Sequence, residues 1–115
     1  MPAPLMEPHL GAAIYGDPVY LGTIAATTTS KNNHDTGTPF NDTDEALKGK
    51  LLLVQPDVAC YVRQADTNAG TASSTNGVKL AADQLFYVSM RSNKGWLACV
   101  SVSGSVNLRV FEMNG

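Results

Sequence analysis

From Lys50 to Met113 short apolar runs alternate with clusters of turn-forming residues, and almost nowhere is there room for a helix. Val58 to Arg63 alternates strictly, with Val58, Cys60 and Val62 on one side and Ala59, Tyr61 and Arg63 on the other. That period of two is the pattern of a half-buried strand. Lys50 to Gln55 differs: Leu51-Leu52-Leu53-Val54 is continuous, which predicts a strand buried on both faces and broken at Pro56-Asp57. Val78 to Leu80 and Leu85 to Met90 read as two further short strands. Trp96 to Val102 puts Trp96, Ala98, Val100 and Val102 on one face, and Ser105 to Glu112 turns Val106, Leu108 and Val110 inward. With Ser103-Gly104 between them, this pair predicts a hairpin whose apolar faces match. Val19 to Thr28 supplies a first strand, with β-branched Thr23 and Thr27. Seven or eight short strands so closely spaced predict an all-β sandwich or barrel. Its core is expected to hold Val58, Cys60, Val62, Val100, Val102, Val106, Leu108 and Val110.

The polar stretches predict the rest of the layout. Ser30 to Asp44 is a loop of Asn, Asp, Thr and Gly, with Thr38-Pro39-Phe40 as a possible edge piece. Asp44 to Lys48 can make one helical turn, capped by Thr43 or Asp42 and stopped by Gly49. Gln64 to Gly77 contains no large apolar residue and predicts an exposed, projecting loop that tolerates shortening. The loop ends at Asn76-Gly77, a dipeptide suited to positive φ. Residues 1–18 form a segment apart from the sandwich domain, which spans 19–115. Pro2, Pro4, Pro8 and Pro18 keep it out of a central strand, yet it carries Leu5, Met6, Leu10, Ile14 and Tyr15. Such side chains are too many to leave wet. The segment is therefore expected to be an extended arm, and those five residues its partner-binding anchors, on its own domain or on a neighbour.

Composition narrows the function. A chain of 115 residues fits one domain, and its charged fraction of 16% is below the usual quarter. The net charge of −2 and the lack of a Lys/Arg cluster argue against nucleic-acid binding. Cys60 and Cys99 have neither zinc nor redox spacing and are expected to be buried thiols. Glu7 and His9 stand where a secretory leader would be basic, and the apolar run Leu10 to Tyr15 is too short to cross a membrane.

Candidate chemistry is sparse. Asp66-Thr67-Asn68-Ala69-Gly70 begins like a calcium loop, but its glycine comes early and position twelve is Gly77 rather than a glutamate. Asp42, Asp44 and Glu45 read as a helix cap. His9 and the His34-Asp35 pair lack a nucleophile, and no serine sits in a nucleophile elbow. No catalytic, cofactor-binding or metal-binding residue is expected. Trp96 and Tyr61 could form a sugar-stacking platform only if both were exposed on one face.

The run from Asn76 to Phe86, the run from Trp96 to Val110, the Leu51-to-Arg63 strand pair and the Thr-rich Gly22 to Thr29 resemble the small decoration or cement proteins of tailed bacteriophage capsids. The likeness covers roughly residues 19–112. It implies a small jelly-roll-like β-sandwich on the capsid exterior that bridges major capsid subunits and stabilises the lattice by binding it, without catalysis. The implied partners are the major capsid protein and neighbouring copies, with no nucleic acid and no membrane. The implied location is the virion surface, after assembly in the bacterial cytoplasm. A neck, tail or head-fibre base component shares these features, and a carbohydrate-binding module is the alternative from another class.

Overall fold

A computed structural model describes residues 16–34 and 47–114. Eight strands make up the regular structure of the described residues: β1 (Asp17–Ala26), β2 (Lys31–Asn32), β3 (Leu51–Pro56), β4 (Cys60–Ala65), β5 (Val78–Leu80), β6 (Phe86–Ser89), β7 (Trp96–Ser101) and β8 (Val106–Asn114). They form two four-stranded sheets, both antiparallel. Sheet A has the order β1-β8-β3-β6 and sheet B the order β2-β7-β4-β5. The protein is thus an all-β, two-sheet sandwich, and no helix is present among the described residues.

Every connection except β4–β5 passes from one sheet to the other. The expected β7–β8 hairpin is therefore absent. Ser103 and Gly104 do turn the chain, with Gly104 at φ 74°, but they deliver β8 to sheet A, where it lies between β1 and β3. Matched apolar faces bring two strands together equally well across a core and across a ladder. Here β7 and β8 face each other through the core, by Leu97 and Cys99 on one side and Val106, Leu108 and Val110 on the other.

Ile24, Leu52, Val54, Cys60, Val62, Leu97, Cys99, Val106, Leu108 and Val110 fill the space between the sheets. Each buried aliphatic side chain contributes roughly 1.5–3 kcal/mol against the cost of ordering the chain. Of the predicted core, Val58 is only half-buried, packing on the core's margin, and Val102 is 44% exposed because β7 ends at Ser101. Leu97 and Cys99, rather than Trp96, Ala98 and Val100, are the β7 residues that face the core. β3 comes close to the expected double burial, with Leu52, Leu53 and Val54 at 2% exposure or less and Leu51 exposed. Pro18, expected in the arm, pairs with Met113 in β1. An edge strand accepts proline because one of its backbone sides has no partner.

All six residues of β7 are buried, so both its faces are covered. The cover on the outer face is the segment from Asp66 to Gly77, which does not project. Ala72 packs with Ala98, Val100 and Tyr61 in a second apolar cluster. Asn32 Nδ2 donates to the carbonyls of Asn68 (2.8 Å) and Gly70 (3.2 Å), and its Oδ1 accepts from the His34 amide (2.8 Å). The Ala72 amide donates to Ser30 Oγ (2.9 Å), and Arg63 donates to the Thr71 carbonyl (2.9 Å). Gly77 has no positive φ; the reason for glycine there is proximity. A Cβ would lie 2.9 Å from the Ser73 carbonyl oxygen and 3.0 Å from Tyr61 Cβ. At Gly70 a Cβ would run into the Ala65 methyl.

Deleting Ala69–Ser74 should therefore destabilise the domain rather than leave it unchanged. Uncovering Ala98 and Val100 and breaking these hydrogen bonds should cost about 2–4 kcal/mol. Thermal unfolding should show a fall in Tm of more than about 10 °C. A fall of a degree or two would mean that the segment does not hold sheet B.

Candidate interaction surfaces

Sheet A has an outer face of unusual chemistry. A sheet covered on one side normally turns polar residues outward. The register of sheet A instead aligns Tyr20 with Phe111, Phe111 with Leu53, and Leu53 with Tyr87, one residue from each strand in a single row. A bulge between Tyr20 and Gly22 makes this alignment possible. It lets Tyr20 stay outward beside Phe111 while Gly22, opposite Val110, faces the core. The Tyr20 and Phe111 rings lie 5.5 Å apart at 60°, and Arg109 sits over the Phe111 ring at 5.3 Å. The next outward positions are Pro18 opposite Met113 and Leu51 opposite Ser89. These two rows hold eight positions on four strands, and none carries a charge. Tyr20 (56%) and Leu51 (42%) are the most open of the large apolar side chains there.

A second feature lies along the open side of the sandwich, between edge strands β5 and β6. Val62, Val78, Leu80, Phe86, Val88 and Leu97 line a cleft of about 400 Å³. Gln64 spans it: Nε2 donates to the Ser89 carbonyl and Oε1 accepts from the Arg91 amide, both at 2.9 Å. One side-chain amide thus ties sheet B to sheet A and limits how far the edges can part. The cleft can receive an apolar side chain, but its polar rim is already occupied in bracing the frame.

Leu5, Met6, Leu10, Ile14 and Tyr15, the expected anchors, lie outside the described residues, as do His9, Asp35, the Thr38–Phe40 piece and the acidic cluster Asp42, Asp44 and Glu45. Leu47 to Gly49 form a turn, with Gly49 at φ 71°; the residues before them in the expected helical turn are likewise outside. Trp96 is only 3% exposed, with His34 edge-on to its ring at 5.4 Å, so it offers no stacking platform with Tyr61. Asp66 faces Lys94 at 3.9 Å, a loose exposed pair. Among the described residues no three His, Cys, Asp or Glu side chains converge, and no helix is long and apolar enough to cross a membrane. The outer face of sheet A was not singled out in the sequence. Two signals pointed to it: the unbroken run Leu51–Val54, and the adjacent apolar pair Val110-Phe111 in a strand that otherwise alternates.

Cys60 and Cys99 are both fully buried free thiols on neighbouring strands. A hydrogen bond with Cys60, reinforced by burial, pushes the Cys99 thiol far above its ordinary range. Asp57 is perturbed in the other direction. Its Oδ1 accepts from the Asn107 amide (2.8 Å) and its Oδ2 from Asn107 Nδ2 (3.2 Å). The backbone bond from Asn107 is the main reason its carboxyl lies below the usual 3.8.

Comparison with family models, with curated proteins and with solved structures finds no match to this chain.

Two outcomes are expected. Native protein prepared without reductant should leave both thiols inert to an aromatic disulfide reagent, and unfolding should release two; fewer than two would indicate a disulfide. For Asp57 the depressed folded pKa contributes stability that is full above the unfolded value of 3.8 and disappears as pH falls through the lower folded value. Asp57→Asn should flatten that part of the acid limb of a Tm-against-pH curve. An unchanged limb would show that the Asn107 contacts do not favour the carboxylate.

Proposed function

We propose that this chain is a non-enzymatic structural protein of a tailed-phage virion. It binds the capsid exterior and stabilises it by bridging major capsid subunits. The observation that carries this reading is how the side chains are used. The polar groups at Asn32, Asn33, Asp57, Gln64 and Asn107 brace the backbone of the frame, while Val19, Tyr20, Leu51, Val78 and Val102 stand exposed. A scaffold that spends its polar groups internally and its apolar groups outwardly is suited to holding partners, not to transforming a substrate.

The strand order also supports a jelly-roll reading of the sandwich. Eight strands in two sheets, ordered 1-8-3-6 and 2-7-4-5, fit two interleaved Greek keys. The sequence likeness to capsid decoration proteins points the same way. In this reading the residues before β1 are an extended arm, and Leu5, Met6, Leu10, Ile14 and Tyr15 clasp a neighbouring subunit. No cofactor, nucleic acid or membrane takes part. The same geometry suits a neck, tail or head-fibre base protein, and copy number separates the two.

Heads assembled without this chain should take it up in sedimentation assays to hundreds of copies per particle, and should then resist heat disruption better. Binding to mature heads raises their stability by mass action, so the protection should rise with protein concentration. Failure to co-sediment would overturn the reading. Uptake of only a single ring of copies would transfer the protein to the neck or tail.

A further inference from the structure

We propose that β1 pairs edge to edge with β1 of a second copy of this chain, joining the two A sheets into one sheet. The edge strands of the sandwich are β1 and β6 in sheet A, and β2 and β5 in sheet B. An edge presents unpaired backbone groups, and proteins blunt it by shortness, by Lys or Pro, or by a bulge. Three of these edges are short: β2 has two residues, β5 three and β6 four. β1 has ten, more than any other strand of the described residues. Pro18 and the bulge between Tyr20 and Gly22 protect only its first half. The rest, Gly22-Thr23-Ile24-Ala25-Ala26, has no Lys, no Pro and no bulge, and it pairs regularly with β8 on one side. On its other side no strand of the described residues lies beside it.

Symmetry and charge make a second copy the fitting occupant. An antiparallel two-fold centred on Ile24 sets that residue against its own counterpart, Thr23 against Ala25, and Gly22 against Ala26. Each unlike pair then occurs twice, as an isologous interface requires. Residues directly opposite share a face of the sheet, so the buried row Gly22, Ile24 and Ala26 runs on into the buried row of the second copy. The one charge on β1, Asp17, ends up at opposite ends of the pair, next to the uncharged 27–30 segment of the other copy. A parallel arrangement would bring the two Asp17 carboxylates to the same end. Val19 and Tyr20, 43% and 56% exposed, flank the new ladder at both ends. Strand addition draws its affinity from main-chain hydrogen bonds, about one per paired residue. It therefore needs no broad apolar face, which sheet A does not have, since Leu53 and Met113 are already buried within the chain.

The pairing is independent of the capsid reading, and its test needs no particle. Light scattering after size exclusion should give the purified full chain a mass near twice 12.2 kDa, and sedimentation equilibrium supplies the dimer Kd. The amides of Gly22–Ala26 that point away from β8 should exchange hydrogen more slowly as protein concentration rises. The register is tested by charge. Thr23→Glu/Ala25→Glu sets like charges directly opposite each other twice across the two-fold and should weaken dimerisation at least about tenfold. Thr23→Glu/Ala25→Lys sets opposite charges there and should restore it. Thr23 is half-buried and Ala25 exposed, and Arg109 on β8 stands opposite Thr23, so both variants should fold, as circular dichroism and Tm would verify. Val78→Lys, at a position 67% exposed in sheet B, should leave the Kd unchanged. A wild-type monomer at high micromolar concentration would overturn the proposal, as would a Glu/Glu variant that dimerises normally or a Glu/Lys variant that fails to recover. A monomeric wild type whose Glu/Glu variant no longer binds heads would overturn it too and give the edge to a strand of capsid protein. The capsid reading would then stand without this one.

Discussion

Strand β7 has no face left for water, and much of the molecule is arranged around that demand. Its inward side chains, Leu97 and Cys99, complete the core, while its outward ones, Trp96, Ala98 and Val100, are equally apolar. A two-layer sandwich covers only one side of a strand. A third layer is needed, and the 66–77 segment provides it at close range, which glycine makes possible at Gly70 and Gly77. The neighbouring Asn32 and Asn33, both buried, satisfy backbone groups on either side of the contact. Asn32 holds the segment, and Asn33 accepts the Leu97 amide at 2.8 Å. Buried amides are tolerated when their hydrogen bonds are made, and here they fix where the cover sits.

The two sheets therefore end up with different outer surfaces. Sheet B is covered over β7 by its own chain, whereas the outer face of sheet A aligns aromatic and aliphatic side chains across four strands, of which Tyr20 and Leu51 are exposed and Leu53 and Met113 buried. The asymmetry restricts where a large partner can gain contact area. It also separates the parts of the protein that carry stability from those available for association. Tyr20 and Leu51 can be changed without opening the core, while Gly70, Asn33 and Leu97 cannot.

Much of this architecture was legible in the sequence, and the parts that were not have physical reasons. Period-two alternation located the strands well and identified Cys60, Val62, Val106, Leu108 and Val110 as core. Alternation says which side chains share a face, but not what covers that face. Trp96, Ala98 and Val100 were grouped correctly and assigned to the wrong layer. The connectivity was hidden for a related reason: Ser103-Gly104 would suit a tight hairpin, and only the competition of β1 and β3 for β8 decides that the chain crosses over. Gln64 to Gly77 read as an exposed loop because small residues are common in tips, although Gln64 and Ala65 end β4. Small residues are also what close backbone packing requires, and Ala72 is buried on that account. The expected arm anchors fall outside the described residues, and Leu51 is the one position of the Leu51–Val54 run that departs from the expected double burial.

The crossover connectivity has a consequence for how the protein is made. β8 lies in the interior of sheet A although it follows the other seven strands in the chain. While a ribosome is still translating β7, β1 and β3 have no common neighbour, and the inner faces of both sheets lack Val106, Leu108 and Val110. The nascent chain cannot close its core piece by piece from the N-terminal end. It must wait for its final strand and then zip, a late and highly non-local step that makes slow folding the natural regime for this topology. During that wait β1 and β3 each have an unpaired edge and apolar side chains, and chaperones are the obvious guardians of that interval.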